Sequence, residues 1–360
     1  MAFGLAAYPV SFRAKYKKGA WKEEFLEKGL IAPEDEARLP ENEREKLTVM
    51  RNSYPDMPLV SFTSQYANAV FEGLKAFPRK GGGLAIFRPD RNAARFARSM
   101  QGLYMPPFPE DIFVRACLET VFRNAAKGFT LQYDPVWEKD SFLTAGGVYV
   151  RPFTYSEGGI GVSICHEPWV LILCSPVTGY FTPGLSGAVV SDRIRATPNG
   201  TGALKAASNY VISALAKHEA AQQGFMECIY LDAVERRYVE EGSSSNIFFY
   251  LKSGELVTPE LGDTILPGIT RESIITLAQE EGIKTSERKI SITEALSESR
   301  ECFVSGTAAA ATPIHSITYR GVKTVFNNGK DGELTLHILK TLKSIQYGIV
   351  PDTHGWMVPV

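Results

Sequence analysis

Short apolar runs of strand length are mixed with helical patterns along most of this 360-residue chain. The runs Leu74–Phe77 and Leu84–Phe87 flank the turn Gly81-Gly82-Gly83, a spacing that predicts a β-hairpin. Helical patterns follow at Asp90–Met100 and Glu110–Ala126. Because the strands and helices do not alternate strictly, the pattern predicts an α+β fold rather than a doubly wound parallel sheet.

Chain length and one loop-like stretch predict two domains. A domain usually spans about 100–200 residues. Residues 178–186 contain two glycines, a proline and two aromatic side chains, a composition typical of a linker. We therefore expect a small N-terminal α+β domain at 1–177, an interdomain loop at 178–186 and a large C-terminal α+β domain at 187–360.

The first 56 residues form a charged N-terminal extension with little apolar periodicity. We expect a helix around Trp21–Lys28 and a solvated loop at Ala32–Lys46, which contains two prolines. Acidic residues are absent before Glu23, whereas several basic residues are present. A transit-type targeting signal therefore stays open, although glycine and proline interrupt any amphipathic helix there.

Charge and cysteine content exclude several classes of function. The 39 basic and 40 acidic residues nearly cancel, so no net field favours nucleic acid or an anionic membrane. No apolar run reaches the roughly 18–20 residues that span a bilayer. The five cysteines and five histidines lack metal-ligand spacing, so we expect no metal site. Cysteines within apolar runs are typical of buried residues and suit a reducing cytoplasm.

One lysine, Lys205, lies in an uncharged stretch of small residues, Asn-Gly-Thr-Gly-Ala-Leu-Lys-Ala-Ala-Ser-Asn-Tyr at 199–210. The pattern places it at the end of a Gly/Thr loop and at the start of an alanine-rich helix, Lys205–Ala221. An amine shielded from water gives up its proton more readily and becomes a Schiff-base nucleophile. The alternative is a solvated surface lysine, which is the commoner case for this residue type.

The lysine stretch resembles the corresponding loop of branched-chain aminotransferases, which are pyridoxal 5'-phosphate (PLP) enzymes of fold type IV, the D-amino-acid-aminotransferase-like superfamily. The resemblance recurs in order from about Phe62 to the C-terminus. Its other motifs are Gln65-Tyr66, Phe71–Phe77, Phe87-Arg88-Pro89 with Asn92 and Arg95, Tyr149–Pro152, Glu241-Gly242 with Asn246–Phe248, Leu266–Arg271, Ser305–Ala308 and Ile345–Gly348. The resemblance implies a two-domain α+β fold with the cofactor in the interdomain cleft, bound mainly by the C-terminal domain.

The resemblance also implies a set of cofactor-binding residues. Lys205 matches the Schiff-base lysine, and Glu241 matches the carboxylate that pairs with the pyridine nitrogen and keeps the ring an electron sink. Glu240 is the neighbour that could be confused with Glu241, but counting back five residues from Asn246 selects Glu241. Tyr210 matches the residue that binds the cofactor's phenolate oxygen, and Arg195 matches a cofactor-site arginine of undefined role. The residues that match the phosphate-binding positions are Arg95, Ile269, Thr270 and Thr307.

Substrate contacts are implied at a second set of positions, where aromatic and aliphatic walls suit side chains that offer no hydrogen bonds. The positions are Tyr66, Phe71, Tyr149, Arg151, Ile160, Val162, Ser244, Thr307 and Ala308. The backbone N–H groups of the turn at Thr307-Ala308 would take the substrate carboxylate. The family forms homodimers in which Tyr66 and the loop 160–162 reach across to line the partner's pocket.

The implied reaction moves the amino group of leucine, isoleucine or valine to 2-oxoglutarate. A D-amino-acid transaminase or an aminodeoxychorismate lyase on the same scaffold is the alternative enzyme. D-amino-acid transaminases tend to carry a histidine two residues after the arginine that Arg151 matches, whereas this chain has Phe153. A non-enzymatic descendant kept as a binding module would be expected to have lost Lys205 or Glu241, and both are present.

Overall fold

The computed structural model describes residues 5–139, 142, 144–178 and 187–360. Its strands are β1 (Val10–Lys17), β2 (Ala20–Glu27), β3 (Leu74–Pro78), β4 (Leu84–Phe87), β5 (Gly147–Tyr155), β6 (Trp169–Val177), β7 (Gly187–Val190), β8 (Glu227–Leu231), β9 (Val239–Gly242), β10 (Asn246–Leu251), β11 (Glu255–Thr258), β12 (Lys284–Glu287), β13 (Ser299–Gly306), β14 (Ala310–Ile314), β15 (Ser316–Tyr319), β16 (Val322–Val325) and β17 (Met357–Pro359).

The helices are α1 (Pro33–Arg38), α2 (Glu41–Arg51), α3 (Phe62–Tyr66), α4 (Pro89–Gly102), α5 (Glu110–Ala125), α6 (Val136–Lys139), α7 (Asn209–Gln222), α8 (Ile269–Glu280), α9 (Ile292–Glu298) and α10 (Glu333–Tyr347). The mixture of helices with largely antiparallel strands confirms the α+β prediction. Among the described residues, no helix is long and apolar enough to cross a membrane.

Contacts divide the chain into two compact units. The first unit is Met1–Tyr180 with Lys205–Ser208 and Ser344–Val360, and the second is Phe181–Leu204 with Asn209–Lys343. Two segments of the predicted C-terminal domain therefore group with the N-terminal part of the chain. For the tail, the reason is that β17 pairs with β4 and the Tyr347 ring packs edge-on against Phe77. Residues 179–186 of the predicted interdomain loop lie outside the described residues.

The first unit is built on one seven-stranded antiparallel sheet, in the order β17-β4-β3-β5-β6-β1-β2. The predicted hairpin is present as β3 and β4. Helices α4 and α5 pack together, and α5 covers strands of this sheet. Apolar side chains from the strands and from both helices form the core of this unit. Fully buried members are Phe12, Ile86, Phe96 and Phe113.

The N-terminal extension differs from its prediction. The segment expected as a helix at Trp21–Lys28 forms β2, paired along its length with β1. Trp21 and Phe25 pack against the core from this strand. Residues four positions apart lie on the same face of a helix and also on the same face of a strand. The spacing of Trp21 and Phe25 is therefore compatible with either structure.

The predicted loop at Ala32–Lys46 is also wrong, because α1 and most of α2 occupy it. Pro33 stands at the first helical position, and acidic residues fill the first turn of each helix. Both features favour a helix start. The buried Arg51 at the end of α2 pairs with Glu36 of α1 at 2.7 Å and ties the two helices together.

The second unit contains two five-stranded sheets, ordered β12-β11-β10-β13-β14 and β16-β15-β7-β8-β9. One apolar core joins both sheets, with Ile229 and Leu231 from β8 and Ile247 and Phe249 from β10. Alternate residues of β8 point the other way, where Tyr230 packs with the alanines of α7. Strand residues alternate between faces, so β8 contributes to two packing layers.

All five cysteines are free and buried, as the sequence predicted. Burial raises the pKa of Cys174 to about 12. A thiol with such a pKa is almost entirely protonated at neutral pH and is unreactive. Cys174 therefore acts as a small apolar packing residue.

A buried lysine on β3 predicts an unusual pH dependence of stability. Burial lowers the pKa of Lys75 from 10.5 to about 8. The folded protein therefore binds this proton more weakly than the unfolded chain, so stability rises with pH from about 8 to 10.5. Below pH 8 the full penalty, about 3 kcal/mol, opposes folding. Lys75→Met should raise the unfolding free energy at pH 7 by up to about that amount and flatten its rise toward pH 10.

Urea unfolding at pH 7 and pH 9.5 measures both effects. Lys284→Met is the matched control, because the Lys284 side chain is 75% exposed, and it should change neither value appreciably. An unchanged pH dependence in Lys75→Met would show that this amine is not the source of the effect.

Candidate active site

Lys205 lies in an extended segment rather than in a helix. Phe71 N–H donates to the Lys205 carbonyl at 3.2 Å, and Ala207 N–H donates to the Ala69 carbonyl at 2.8 Å. Helix α7 begins only at Asn209, so the predicted helix start at Lys205 is wrong by four residues. The bridge between Val70 and Ala206 explains the difference, since pairing with a distant segment replaces the local helical hydrogen bonds.

The segment that receives Lys205 is itself held from its other side by β5. Val70 N–H donates to the Thr154 hydroxyl, and Thr154 N–H donates to the Val70 carbonyl, both at 2.8 Å. Glu72 N–H donates to the Pro152 carbonyl at 2.7 Å. The Lys205 N–H donates to the buried Ser99 Oγ of α4 at 3.0 Å. The backbone at Lys205 is therefore fixed by contacts from two directions.

Cationic and aromatic groups surround the Phe71 ring. The Lys205 Nζ lies 4.9 Å from the ring centroid, and the Arg151 guanidinium lies 4.8 Å from it. Arg151 Nη2 also donates to the Tyr149 hydroxyl at 2.7 Å. The structure thus brings together Lys205, Phe71, Tyr149 and Arg151, four residues that the sequence placed in one site. An amine beside an aromatic face is partly shielded from water, as its predicted role requires.

Arg95, the predicted phosphate ligand, is buried on α4 and forms an ion pair with Glu72. The Arg95 Nε lies 2.7 Å from one carboxylate oxygen of Glu72, and Nη2 lies 2.8 Å from the other. Glu72 is fully buried. Arg95 and Ser99 are one helical turn apart, so one face of α4 contacts both Glu72 and the Lys205 backbone.

Tyr66 and the loop 160–162 form a separate, exposed group in the same unit. Gly161 N–H donates to the Tyr66 hydroxyl at 3.1 Å. Ile160 and Val162 are 86% and 93% exposed, which is unusual for aliphatic side chains of this size. Gly161 adopts a φ of 97° at the tip, a conformation that favours glycine.

In the second unit, Glu241 on β9 is almost fully buried and paired. Its Oε1 lies 2.6 Å from Arg195 Nη2, and its Oε2 accepts from Asn246 Nδ2 at 3.3 Å. Arg195 Nη1 also donates to the Thr264 carbonyl at 2.8 Å. The arginine whose role the sequence left undefined is therefore the ion-pair partner of the predicted pyridine-nitrogen carboxylate.

Glu240 has a different environment from its neighbour. Its Oε1 accepts from the Thr264 hydroxyl at 2.6 Å. Burial raises the pKa of Glu240 above its ordinary value, and the Thr264 hydroxyl opposes this only in part. The acid matched by the motif, Glu241, is thus the one with a buried cationic partner.

The turn before α8 is packed closely against Asn246. Asn246 Nδ2 donates to the Leu266 carbonyl at 2.9 Å, and a Cβ added at Gly268 would lie 1.9 Å from Asn246 Oδ1. Only glycine fits there. Gly268 is the N-cap residue of α8, and Ile269 and Thr270 form its buried first turn. Unpaired N–H groups at such a helix start attract anions.

The remaining predicted residues have simpler positions. Tyr210 lies in the first turn of α7, and Thr307 and Ala308 form the half-buried turn between β13 and β14. Ser244 is exposed in the loop between β9 and β10, whereas Ser243 and Ser245 on either side are buried.

Sequence reasoning missed three residues that hold these groups in place: Glu72, Ser99 and Glu227. Glu227 is buried on β8 and accepts from Ser243 N–H at 3.1 Å and from the Ser245 hydroxyl at 3.4 Å. Its carboxylate thereby ties down the loop that follows Glu241. Glu72 lies within the Phe71–Phe77 motif, but no local signal gives the role of any of the three, because their partners lie 16 to 106 positions away along the chain.

Comparisons with known proteins show the family. The Amino-transferase class IV family matches residues 69–317. This chain belongs to that family. It is 40% identical over 307 residues to a branched-chain-amino-acid aminotransferase of Mycobacterium tuberculosis, with 81% of this chain and 80% of that protein covered.

Two solved structures are similar over most of their length. The branched-chain amino acid aminotransferase of Escherichia coli has a TM-score of 0.74 and 27% identity, over 98% of this chain and 99% of that one. The corresponding enzyme of Thermobaculum terrenum in its PLP form has a TM-score of 0.71 and 29% identity, over 85% and 93%. The likeness confirms the fold-type IV prediction.

Class IV aminotransferases use pyridoxal 5'-phosphate. The residues present fit that group chemically. An amine lies near an aromatic ring at Lys205, and a buried guanidinium and a buried carboxylate lie at Arg95 and Glu241. These are the imine-forming, anion-binding and ring-nitrogen functions that PLP needs from a protein.

Proposed function

We propose that this chain is a branched-chain L-amino-acid aminotransferase that transfers the amino group of leucine, isoleucine or valine to 2-oxoglutarate. The observation that carries the proposal is the position of the Lys205 amine over the Phe71 ring, beside Arg151 and Tyr149. This set combines a nucleophile with an aromatic wall and a cation. The names of the relatives at about 40% identity support the same activity.

Lys205 carries the chemistry in this proposal. PLP, when bound, supplies an aldehyde for covalent attachment and an electron-withdrawing ring. The Lys205 Nζ would hold the cofactor through that attachment and would carry a proton to or from the substrate Cα. Fixed backbone contacts to Phe71 and Ser99 limit the motion of the lysine, which favours a defined position for the transfer.

Glu241 would pair with the cofactor's ring nitrogen. Arg195, at 2.6 Å, and Asn246 orient this buried carboxylate. Tyr210 would donate to the phenolate oxygen. Arg95, the α8 N-terminus at Ile269 and Thr270, and Thr307 would bind the phosphate, since arginine and helix N-terminal N–H groups are both suited to anions.

Substrate binding uses the aromatic and aliphatic residues. Phe71 and Tyr149 contact the aliphatic side chain, and Arg151, together with the N–H groups at Thr307-Ala308, attracts carboxylate groups. Ser244 is exposed, and the proposal assigns it a contact at the edge of the substrate site. The five free cysteines support a cytoplasmic location.

The proposal includes a homodimer. Exposed apolar side chains at Ile160 and Val162 would be a liability on a monomer and are typical of an interaction surface. Their tip is tied to Tyr66 through Gly161 N–H. We propose that this group lines the substrate pocket of the partner subunit.

Lys205→Ala should abolish transamination of leucine while the circular dichroism spectrum stays unchanged, since alanine offers no amine for the cofactor. Borohydride reduction followed by peptide mass spectrometry measures the attachment point. Lys75→Met is the control, because it removes another buried lysine of the same unit and should still trap cofactor on Lys205. Cofactor trapped on any residue of the Lys205→Ala variant would refute the assignment.

Glu241→Gln should keep PLP bound but slow leucine turnover by about 10²–10⁴-fold, because a neutral amide holds the ring-nitrogen proton poorly. Single-turnover kinetics followed by absorbance measure the loss. Glu240→Gln is the matched control and should stay within a few-fold of the parent. The reverse ranking of the two variants would assign the role to Glu240.

Ile160→Asp should impair both dimerisation and leucine turnover, since a charge would enter a desolvated surface. Sedimentation velocity and steady-state rates measure the two effects. A mixed dimer of Ile160→Asp with Lys205→Ala should regain activity, because one of its two sites then has both native residues. A fully active monomer, or a mixed dimer without activity, would contradict the shared site.

A further inference from the structure

Glu72 is a fully buried carboxylate that is not among the proposed cofactor or substrate contacts. Its two oxygens accept from Arg95 Nε and Nη2 at 2.7 and 2.8 Å, a two-pronged fork. Its backbone is held as well, because Glu72 N–H donates to the Pro152 carbonyl at 2.7 Å. Glu72 is thus hydrogen-bonded through its backbone to the sheet, whereas the arginine that it binds belongs to α4.

A carboxylate that accepts two hydrogen bonds from one arginine fixes the orientation of the guanidinium as well as neutralising its charge. The guanidinium is planar and rigid, so two parallel hydrogen bonds on the Nε–Nη2 edge set the direction of the whole group. The Nη1 donors then point in a direction that Glu72 determines. An arginine side chain without such a partner samples many rotamers, and ordering it would reduce the affinity for any anion that it binds.

We propose that Glu72 is a positioning residue, which orients the Arg95 guanidinium so that it binds the phosphate of the cofactor. The inference rests on the proposed function, in which Arg95 is a phosphate ligand. Glu72 itself does not touch the phosphate, since two anions would repel. It acts only through Arg95.

The ion pair between Arg51 and Glu36 offers a matched comparison in the same unit. Arg51 is also buried and pairs with Glu36 through two nitrogens, at 2.7 and 2.8 Å. Its guanidinium also donates to the carbonyls of Ala7 and Gly29. This pair holds the N-terminal extension in place, so its loss should affect stability without affecting any ligand.

The test compares two cofactors that differ only in the phosphate. Full-length protein freed of cofactor is titrated with PLP and with pyridoxal, which keeps the aldehyde and the ring but lacks the phosphate. The measured quantity is the ratio of the pyridoxal dissociation constant to the PLP dissociation constant. General loosening of the protein weakens both ligands and leaves this ratio unchanged, so the ratio isolates the contribution of the phosphate.

Glu72→Gln should lower the ratio by about 10-fold or more, as expected for a misplaced charge-assisted hydrogen bond. The rate of PLP release from the holoenzyme on dilution should rise by a similar factor. Glu72→Asp keeps the charge but retracts it by one methylene, so the ratio should fall less. This second variant keeps the test valid should Glu72→Gln fold poorly. Glu36→Gln should lower the melting temperature and leave the ratio at the parent value.

Arg95→Gln separates failure of this inference from failure of the proposed function. A low ratio in Arg95→Gln with a parental ratio in Glu72→Gln and Glu72→Asp would make Glu72 a purely structural partner and overturn the inference alone. A parental ratio in Arg95→Gln would remove Arg95 from the phosphate site and overturn the inference with it. Parent protein that binds neither PLP nor pyridoxal would instead refute the proposed function.

Discussion

The pairing of residues 205–207 with residues 69–71 is the interaction on which the first unit's site depends. Two backbone hydrogen bonds and one bridge hold the segments together. They place the Lys205 amine over the Phe71 ring, and they do so without any local helical structure around the lysine. Residues 69–71 are bonded on their other side to β5. They therefore lie between two hydrogen-bonded neighbours, which limits the motion of the lysine backbone. A nucleophile on a flexible loop would lose much of the advantage of orientation.

Each unit also carries a buried carboxylate–guanidinium pair, Glu72–Arg95 in the first and Arg195–Glu241 in the second. Such pairs are weak contributors to stability, because desolvation of both charges offsets their attraction, whereas removal of one partner costs about 3–5 kcal/mol. Arg95 and Glu241 are both proposed cofactor ligands, so in this proposal their charged partners serve mainly to orient them. A charged group held by a second charge presents a defined hydrogen-bonding direction to a ligand.

Much of the site could be predicted because the residues that carry chemistry lie in motifs with local spacing. The five-residue interval from Glu241 to Asn246 corresponds to a direct contact at 3.3 Å in the structure. The hairpin around the three glycines formed as predicted. Two errors fall where one local pattern fits two structures, as at Trp21 and Phe25, or where helical propensity is overridden, as at Lys205. In both places a paired strand supplied the missing hydrogen bonds.

The sequence alone determined the α+β class and the β3–β4 hairpin, since these follow from periodicity and turn glycines, and its resemblance to a known family selected Lys205 and Glu241 as candidate site residues. Only the tertiary structure decided that Lys205 is extended, that Arg195 pairs with Glu241, and that Glu72 forms an ion pair with Arg95. The physical reason is distance along the chain. A contact between residues 23 or more positions apart leaves no local periodicity, and it forms only when the sheet brings distant segments side by side.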